Sequence, residues 1–138
     1  MLLMQNGMVL HISPDRTLSE TQQDFNDVYR YLRLEFYRNS EPGVARKHIN
    51  NSVKLNAAGL KKNGEIEISD TTVVGQLENE FLEKFGLHVQ VSRKSGTIWL
   101  ETTMTDNWTL KQQNDHGREL SEPAKGNSII KEDDIDYD

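Results

Sequence analysis

Cysteine is absent from this chain of 138 residues. That excludes disulfides, thiolate nucleophiles and every cysteine-ligated zinc or iron–sulfur site, and it suits a reducing compartment. Aromatic residues are scarce at 7%, there are three prolines, and no long apolar run occurs. The N-terminal stretch MLLMQNGMVLHIS has no basic leader and is broken at Gln5, Asn6 and Gly7. It matches neither a secretion signal nor a membrane span, so a soluble, cytoplasmic protein without membrane association is expected. The signatures of chemistry are missing too: HExxH, P-loop, GxSxG, GxGxxG and EF-hand patterns do not occur. The four histidines (His11, His48, His88, His116) stand at no helical spacing with another histidine or a glutamate ligand. No catalytic residue, metal ligand or cofactor is assigned, and the balance leans away from an enzyme.

What is present suits one economical domain. Hydrophobic residues make up 35% of the chain and the mean hydropathy is −0.72. A chain of this size buries about two-thirds of its unfolded surface, enough to fold alone. The net charge of −6 is uneven. Residues 117–138 carry seven acidic and three basic groups, whereas residues 38–62 carry six basic groups against Glu41 alone. The expected division is a domain over 1–117 and an acidic, mobile tail over 118–138. Within the tail, Ile129, Ile130, Ile135 and Tyr137 are spaced among acids in the manner of a short docking motif.

The chain also resembles itself. HISPDRTLSETQQDFNDVYRYLRLEFYR (11–38) aligns with EISDTTVVGQLENEFLEKFGLHVQVSRK (67–94). At an offset of 56, Leu10, Ile12, Leu18, Thr21, Phe25 and Tyr29 fall on Ile66, Ile68, Val74, Leu77, Phe81 and Phe85. One residue is lost at the following turn. The offset becomes 55 and pairs Leu32, Leu34 and Phe36 with Leu87, Val89 and Val91, then Val53 with Trp108 and Leu55 with Leu110. We read two tandem units, about 8–62 and 64–117.

Each unit opens with period-two alternation, the pattern of a half-buried strand. A helical stripe follows. Thr17 with Glu20 predicts a capping box for the first helix, Thr72 is the expected cap of the second, and Gly86 its stop. A second strand comes next, and each unit should close with a short polar helix, near 52–62 and 107–116. RKSGT predicts a hairpin turning at Ser95-Gly96, whereas RNSEPGVARKHI, with Pro42 and Gly43, predicts a longer loop. The expected fold is α+β, a two-layer sandwich of two βαβ(β)α units. The ferredoxin-like arrangement is the simplest way to interleave them in one sheet, and two small sandwiches side by side is the alternative.

A turn at Ser95-Gly96 sets Val91 opposite Leu100 and Ser92 opposite Trp99, with Leu100 inward and Trp99 outward. The outward face then gathers Trp99, His88, Gln90, Ser92 and Glu101, joined by Arg33, Glu35 and Tyr37 from the matching strand. Trp99, His88, Gln90, Tyr37 and Arg33 are the candidate ligand- or partner-binding residues. An aromatic on a polar sheet face can stack bases, but an acidic chain lacks the footprint that phosphates require. Trp108, matched by Val53 in the other unit, is assigned to packing in the first turn of the last helix. Glu78, Glu80 and Glu83 are assigned to the solvent side of the second main helix.

The run FLEKFGLHVQVSRKSGTIWLETTMTDNWTLKQQNDHGREL, and more weakly ISPDRTLSETQQDF with YLRLEFY, resembles a stretch that recurs in a group of small uncharacterised bacterial proteins. The resemblance spans most of residues 8–120 and implies a bacterial, cytoplasmic protein, with no activity or site residue to carry across. The functional expectation is a non-enzymatic interaction module with a protein partner or a second copy of itself. Nucleic-acid binding through the basic 38–62 segment is the disfavoured alternative, and small-ligand binding on the Trp99 face is another.

Overall fold

The computed structural model describes residues 7–38 and 46–122. The loop at Pro42 and Gly43 and the tail motif beyond residue 122 lie outside them. The elements run β1 (Gly7–Ile12), α1 (Leu18–Val28), β2 (Leu32–Tyr37), β3 (Gly64–Ser69) and α2 (Val74–Glu80), which continues through a π-turn (Phe81–Phe85). Then come β4 (His88–Ser95), β5 (Ile98–Glu101), a 3-10 turn (Thr103–Thr105) and α3 (Leu110–Ser121). The fold is α+β, with three α-helices and two antiparallel sheets among the described residues.

The sheets are where the structure departs from expectation. β1 pairs with β3, and β2, β4 and β5 form a separate sheet in the order β2-β4-β5. A ferredoxin-like arrangement would place the strands of both units in one sheet; here they divide between two. Side-by-side sandwiches are not formed either, because each sheet takes strands from both units and one core joins them. The reason lies in the inward side chains. Leu10, Ile12, Ile66 and Ile68 of one sheet, and Leu34, Phe36, Val89 and Val91 of the other, are all buried in the same cluster. Full burial of each such side chain contributes about 1.5–3 kcal/mol. Phe36 meets Phe81 edge-on at 6.1 Å between ring centroids.

Each ladder is centred on one pair of aligned residues that stand directly opposite one another. Leu10 pairs with Ile66, and Glu35 with Gln90. The links between strand ends and later segments recur as well. Leu18 N–H donates to the Val53 carbonyl at 2.9 Å, and Val74 N–H to that of Trp108 at 3.0 Å. Leu55 N–H donates to Arg16, and Leu110 N–H to Thr72, both at 2.8 Å.

Capping follows the sequence in the first unit and not in the second. Thr17 and Glu20 form the reciprocal capping box of α1. At α2 the cap position holds Val73 with no side-chain bond, while the Thr72 hydroxyl accepts from Ser69 N–H instead. Gly86 ends the helical run at φ +73°, a left-handed conformation that suits glycine.

The two unit ends differ. Residues 51–59 form turns around the Lys54 bridge, not the expected helix; five residues after Lys54 the chain reaches Gly59 at φ +106°. The matching position, Thr109, closes a capping box with Gln112 and starts α3, which runs past residue 117 to Ser121. Trp108 therefore precedes the cap and is not in the first turn. It lies half-buried, edge-on to His116 at 5.6 Å.

Candidate functional site: the outer face and free edge of the three-stranded sheet

The register sets Arg33 opposite Ser92, Glu35 opposite Gln90 and Tyr37 opposite His88. It sets Lys94 opposite Trp99 and Ser92 opposite Glu101. Since directly opposed residues share a face, Arg33, Tyr37, His88, Gln90 and Trp99 all lie on the outer face. The hairpin turn itself is Gly96-Thr97, not Ser95-Gly96, with Gly96 at φ +66° and Ser95 opposite Ile98. This slides β5 by two residues against the expected register. Because the pleat repeats every two residues, Trp99 keeps its face. Leu100 does not keep its neighbours. It stands opposite Arg93 rather than Val91, beyond the core, and is 41% exposed instead of buried.

The outer face is drier than an all-polar sheet surface. Glu35, Tyr37, Gln90 and Ser92 are buried. Residues 46–49 lie along the far edge of β2: Arg38 N–H donates to the Lys47 carbonyl at 3.0 Å and Ile49 N–H to that of Phe36 at 2.9 Å. From there His48 stacks on Tyr37 at 4.4 Å between centroids, and the Arg46 guanidinium lies 4.4 Å over the same ring. The Tyr37 hydroxyl donates to Glu101 Oε2 at 2.9 Å, and Arg46 approaches the same oxygen at 3.8 Å. Burial, then the Glu101 carboxylate, push the Tyr37 phenol above its ordinary range. Arg33 donates to Glu35 Oε2 at 2.5 Å while its guanidinium lies 4.5 Å over Trp99. Trp99 is thus half-covered by Arg33. The terminal helix does not cover it: α3 sits on the opposite face, where Arg93 donates to Gln113 at 2.8 Å.

Beside this face is a cleft of about 300 Å³ lined by Arg46, Glu78, His88, Gln90 and Asp106 among others. It exists because β4 outruns β5. Where β5 peels away, the Thr102 hydroxyl donates to the Val91 carbonyl at 3.0 Å, and the Glu78 carboxylate accepts from Val91 N–H at 2.8 Å. Gln90 donates a further bond to Glu78 at 3.1 Å. Burial is the main cause that raises the Glu78 pKa to about 7; the Val91 bond opposes it and the charge of Asp106 adds to it. Glu78 is therefore not a solvating side chain. It lies one position from Leu77 and four from Val74, on the border of the apolar stripe, and that spacing was the available signal. Arg46 and His48 gave no local signal, since their contacts are with strands distant in the sequence. Among the described residues no group of three or more His, Asp or Glu side chains is arranged to hold a metal.

The hydrogen-bonding direction along β5 follows from its neighbours. Lys94 N–H points to Tyr31 on the β2 side, and Val91 N–H points the other way. Arg93 and Ser95 therefore exchange bonds with Leu100 and Ile98, and the backbone N–H and C=O of Trp99 and Glu101 face outward. No strand or bridge pairs with β5 beyond β4 among the described residues. Of the basic segment, Arg46 is engaged in the sheet network, and Lys47, Lys54, Lys61 and Lys62 are exposed.

The chain was compared with protein-family models, curated proteins and solved structures, and none matches it. No described helix is long and apolar enough to cross a membrane.

Proposed function

We propose that the protein is a non-enzymatic interaction module, cytoplasmic in a bacterial cell, which binds protein partners along β5 and the Trp99-bearing outer face. The observation that carries this reading is the open edge: a four-residue strand, Ile-Trp-Leu-Glu, with three large apolar residues and outward backbone groups. Lysine, proline and a bulge, three of the devices that blunt natural edge strands, are absent from these four residues. The other edge of the sheet is taken by residues 46–49. Four charged groups of the face answer one another, Arg33 to Glu35 and Arg46 to Glu101, and Lys94 stands opposite Trp99. Along β5 itself, that leaves mainly apolar and backbone surface for a partner to meet. Recurrence of the same backbone bonds in both units supports an origin by tandem duplication, with the β5 hairpin as an addition to the second copy.

The test is chemical cross-linking of the full chain, alone and in bacterial extract, comparing wild type with I98E/L100E. Glu at position 100 faces Arg93 within the hairpin, so the fold should survive, as circular dichroism and thermal melting would register. Loss of the cross-linked species is expected. A double variant with the wild-type set of cross-linked species would overturn the proposal.

A further inference from the structure

We infer that the partner on β5 is a second copy of this chain, paired antiparallel edge to edge about a twofold axis at Trp99; this rests on the interaction reading above. A twofold axis perpendicular to a sheet superposes each face on itself. The residues it sets opposite each other must then share a face, so their numbers differ by an even count. Outward backbone groups are those of Trp99 and Glu101, so the axis can pass through a Trp99 pair. In that register Trp99 exchanges both backbone bonds with the partner's Trp99, and Glu101 reaches the partner's Thr97. Ile98 then stands opposite the partner's Leu100, twice over. This is a non-hydrogen-bonded position, where side chains come closest.

Both are among the large apolar side chains that the monomer leaves exposed. Ile98 is 56% exposed and Leu100 41%, on the face opposite Trp99. The register pairs them with each other and sets no like charges opposite. Glu101 is the strand's charged residue, its carboxylate is drawn back to Tyr37 and Arg46, and its opposite residue is a threonine. Moving the axis by one residue, to Leu100, would set Glu101 against the partner's Trp99 and leave Ile98 facing the partner's Thr102. Both registers satisfy the outward backbone groups, but only the Trp99-centred one sets both Ile98 and Leu100 against a large apolar side chain. An isologous closed dimer with a continuous six-stranded sheet results.

The chain's lack of cysteine makes the register directly testable. Opposite Cα atoms at a non-hydrogen-bonded site lie about 4.5 Å apart, within disulfide range, whereas two copies of position 98 are about 8 Å apart, outside it. An oxidised equimolar mixture of I98C and L100C should give a disulfide-linked dimer in several-fold higher yield than either variant alone. By sedimentation, wild type should run at twice its 15.9 kDa chain mass, and I98E/L100E at the monomer mass. Equal cross-linking by the mixture and the single variants overturns the register. A dimer that persists in I98E/L100E overturns the interface. A wild type that stays monomeric, yet loses cross-links to another protein on I98E/L100E substitution, overturns self-pairing and leaves the interaction reading standing. A monomer with no β5-dependent cross-link overturns both.

Discussion

The first and second units share a strand, helix and strand joined by matching backbone bonds, yet only the second adds a further strand, β5, as an open edge of the three-stranded sheet. Both run from an inward-alternating strand through a buried helical stripe to a second strand. After that they part. In the first unit the chain returns along the outside of β2 as residues 46–49 and settles into turns. In the second it folds back as β5, then builds α3 from a capping box. The common frame buries the core, and the segment that differs creates the open edge of the three-stranded sheet. Where two units agree, a residue is explained by packing; where they disagree, it is a candidate for function.

The strongest test of the shared frame is at its matched anchors. Leu55 sits in a turn and Leu110 in the first turn of α3, but both are fully buried and both donate at 2.8 Å to the chain before their unit's helix. Truncation to alanine removes the same apolar volume from the same kind of pocket. Leu55→Ala and Leu110→Ala should each cost about 2–5 kcal/mol, within roughly 1 kcal/mol of one another. Urea titration of both variants measures this. A Leu55 cost below about 1 kcal/mol would break the equivalence and mark residues 50–60 as a loosely attached loop.

A second test uses one helix position in both units. Gln22 on α1 and Glu78 on α2 align, and each bonds the backbone of the strand that follows. Gln22 donates to the Leu34 carbonyl at 2.6 Å, and Glu78 accepts from Val91 N–H. The first unit does this with a neutral amide; the second uses a carboxyl whose pKa is raised to about 7. A raised carboxyl pKa favours the folded state while the group is protonated. Its contribution is complete below about pH 4.5 and is lost as pH rises through about 7. Glu78→Gln keeps an acceptor for Val91 and removes the charge. At pH 8 it should stabilise the protein by roughly 1–2 kcal/mol, a figure reduced for the group's partial exposure to water. The slope of stability between pH 4.5 and 7 should flatten. An unchanged slope would show that Glu78 has the same pKa folded and unfolded.

Much of the frame was legible because strands and helices write their period into the chain. The stripe at Val74, Leu77, Phe81 and Phe85 is buried as read, and so are Leu10, Ile12, Ile66 and Ile68. The Trp99 face was legible for the same reason, since a period of two survives a register slip of two. What periodicity does not encode is which strands become neighbours. The division into two sheets depends on how both units close over one core, a long-range outcome. The turn position was ambiguous because Ser95-Gly96 and Gly96-Thr97 both offer a glycine. Arg46 and His48 reach Tyr37 only because residues 46–49 pair with β2, a contact that no local pattern announces.

The smallest effect probes the caps. Thr17 holds the first turn of α1 through its hydroxyl, and Thr109 does the same for α3, each with a Glu or Gln three residues on. The position in the second unit that aligns with Thr17 is Val73, and Gln76 already stands three residues after it. Val73 has the extended backbone of a cap, φ −83° and ψ 137°, with no side-chain bond to the helix. Val73→Thr exchanges a methyl for a hydroxyl of similar size and supplies the missing acceptor for an orphan amide at N2 or N3. The gain should be about 0.5–1 kcal/mol, a rise of a few degrees in thermal midpoint for a domain of this size. A loss instead would mean that the Val73 methyl groups pack more tightly than a cap is worth. In that case the second unit gave up its cap for packing where it meets Thr109 across the isolated antiparallel bridge.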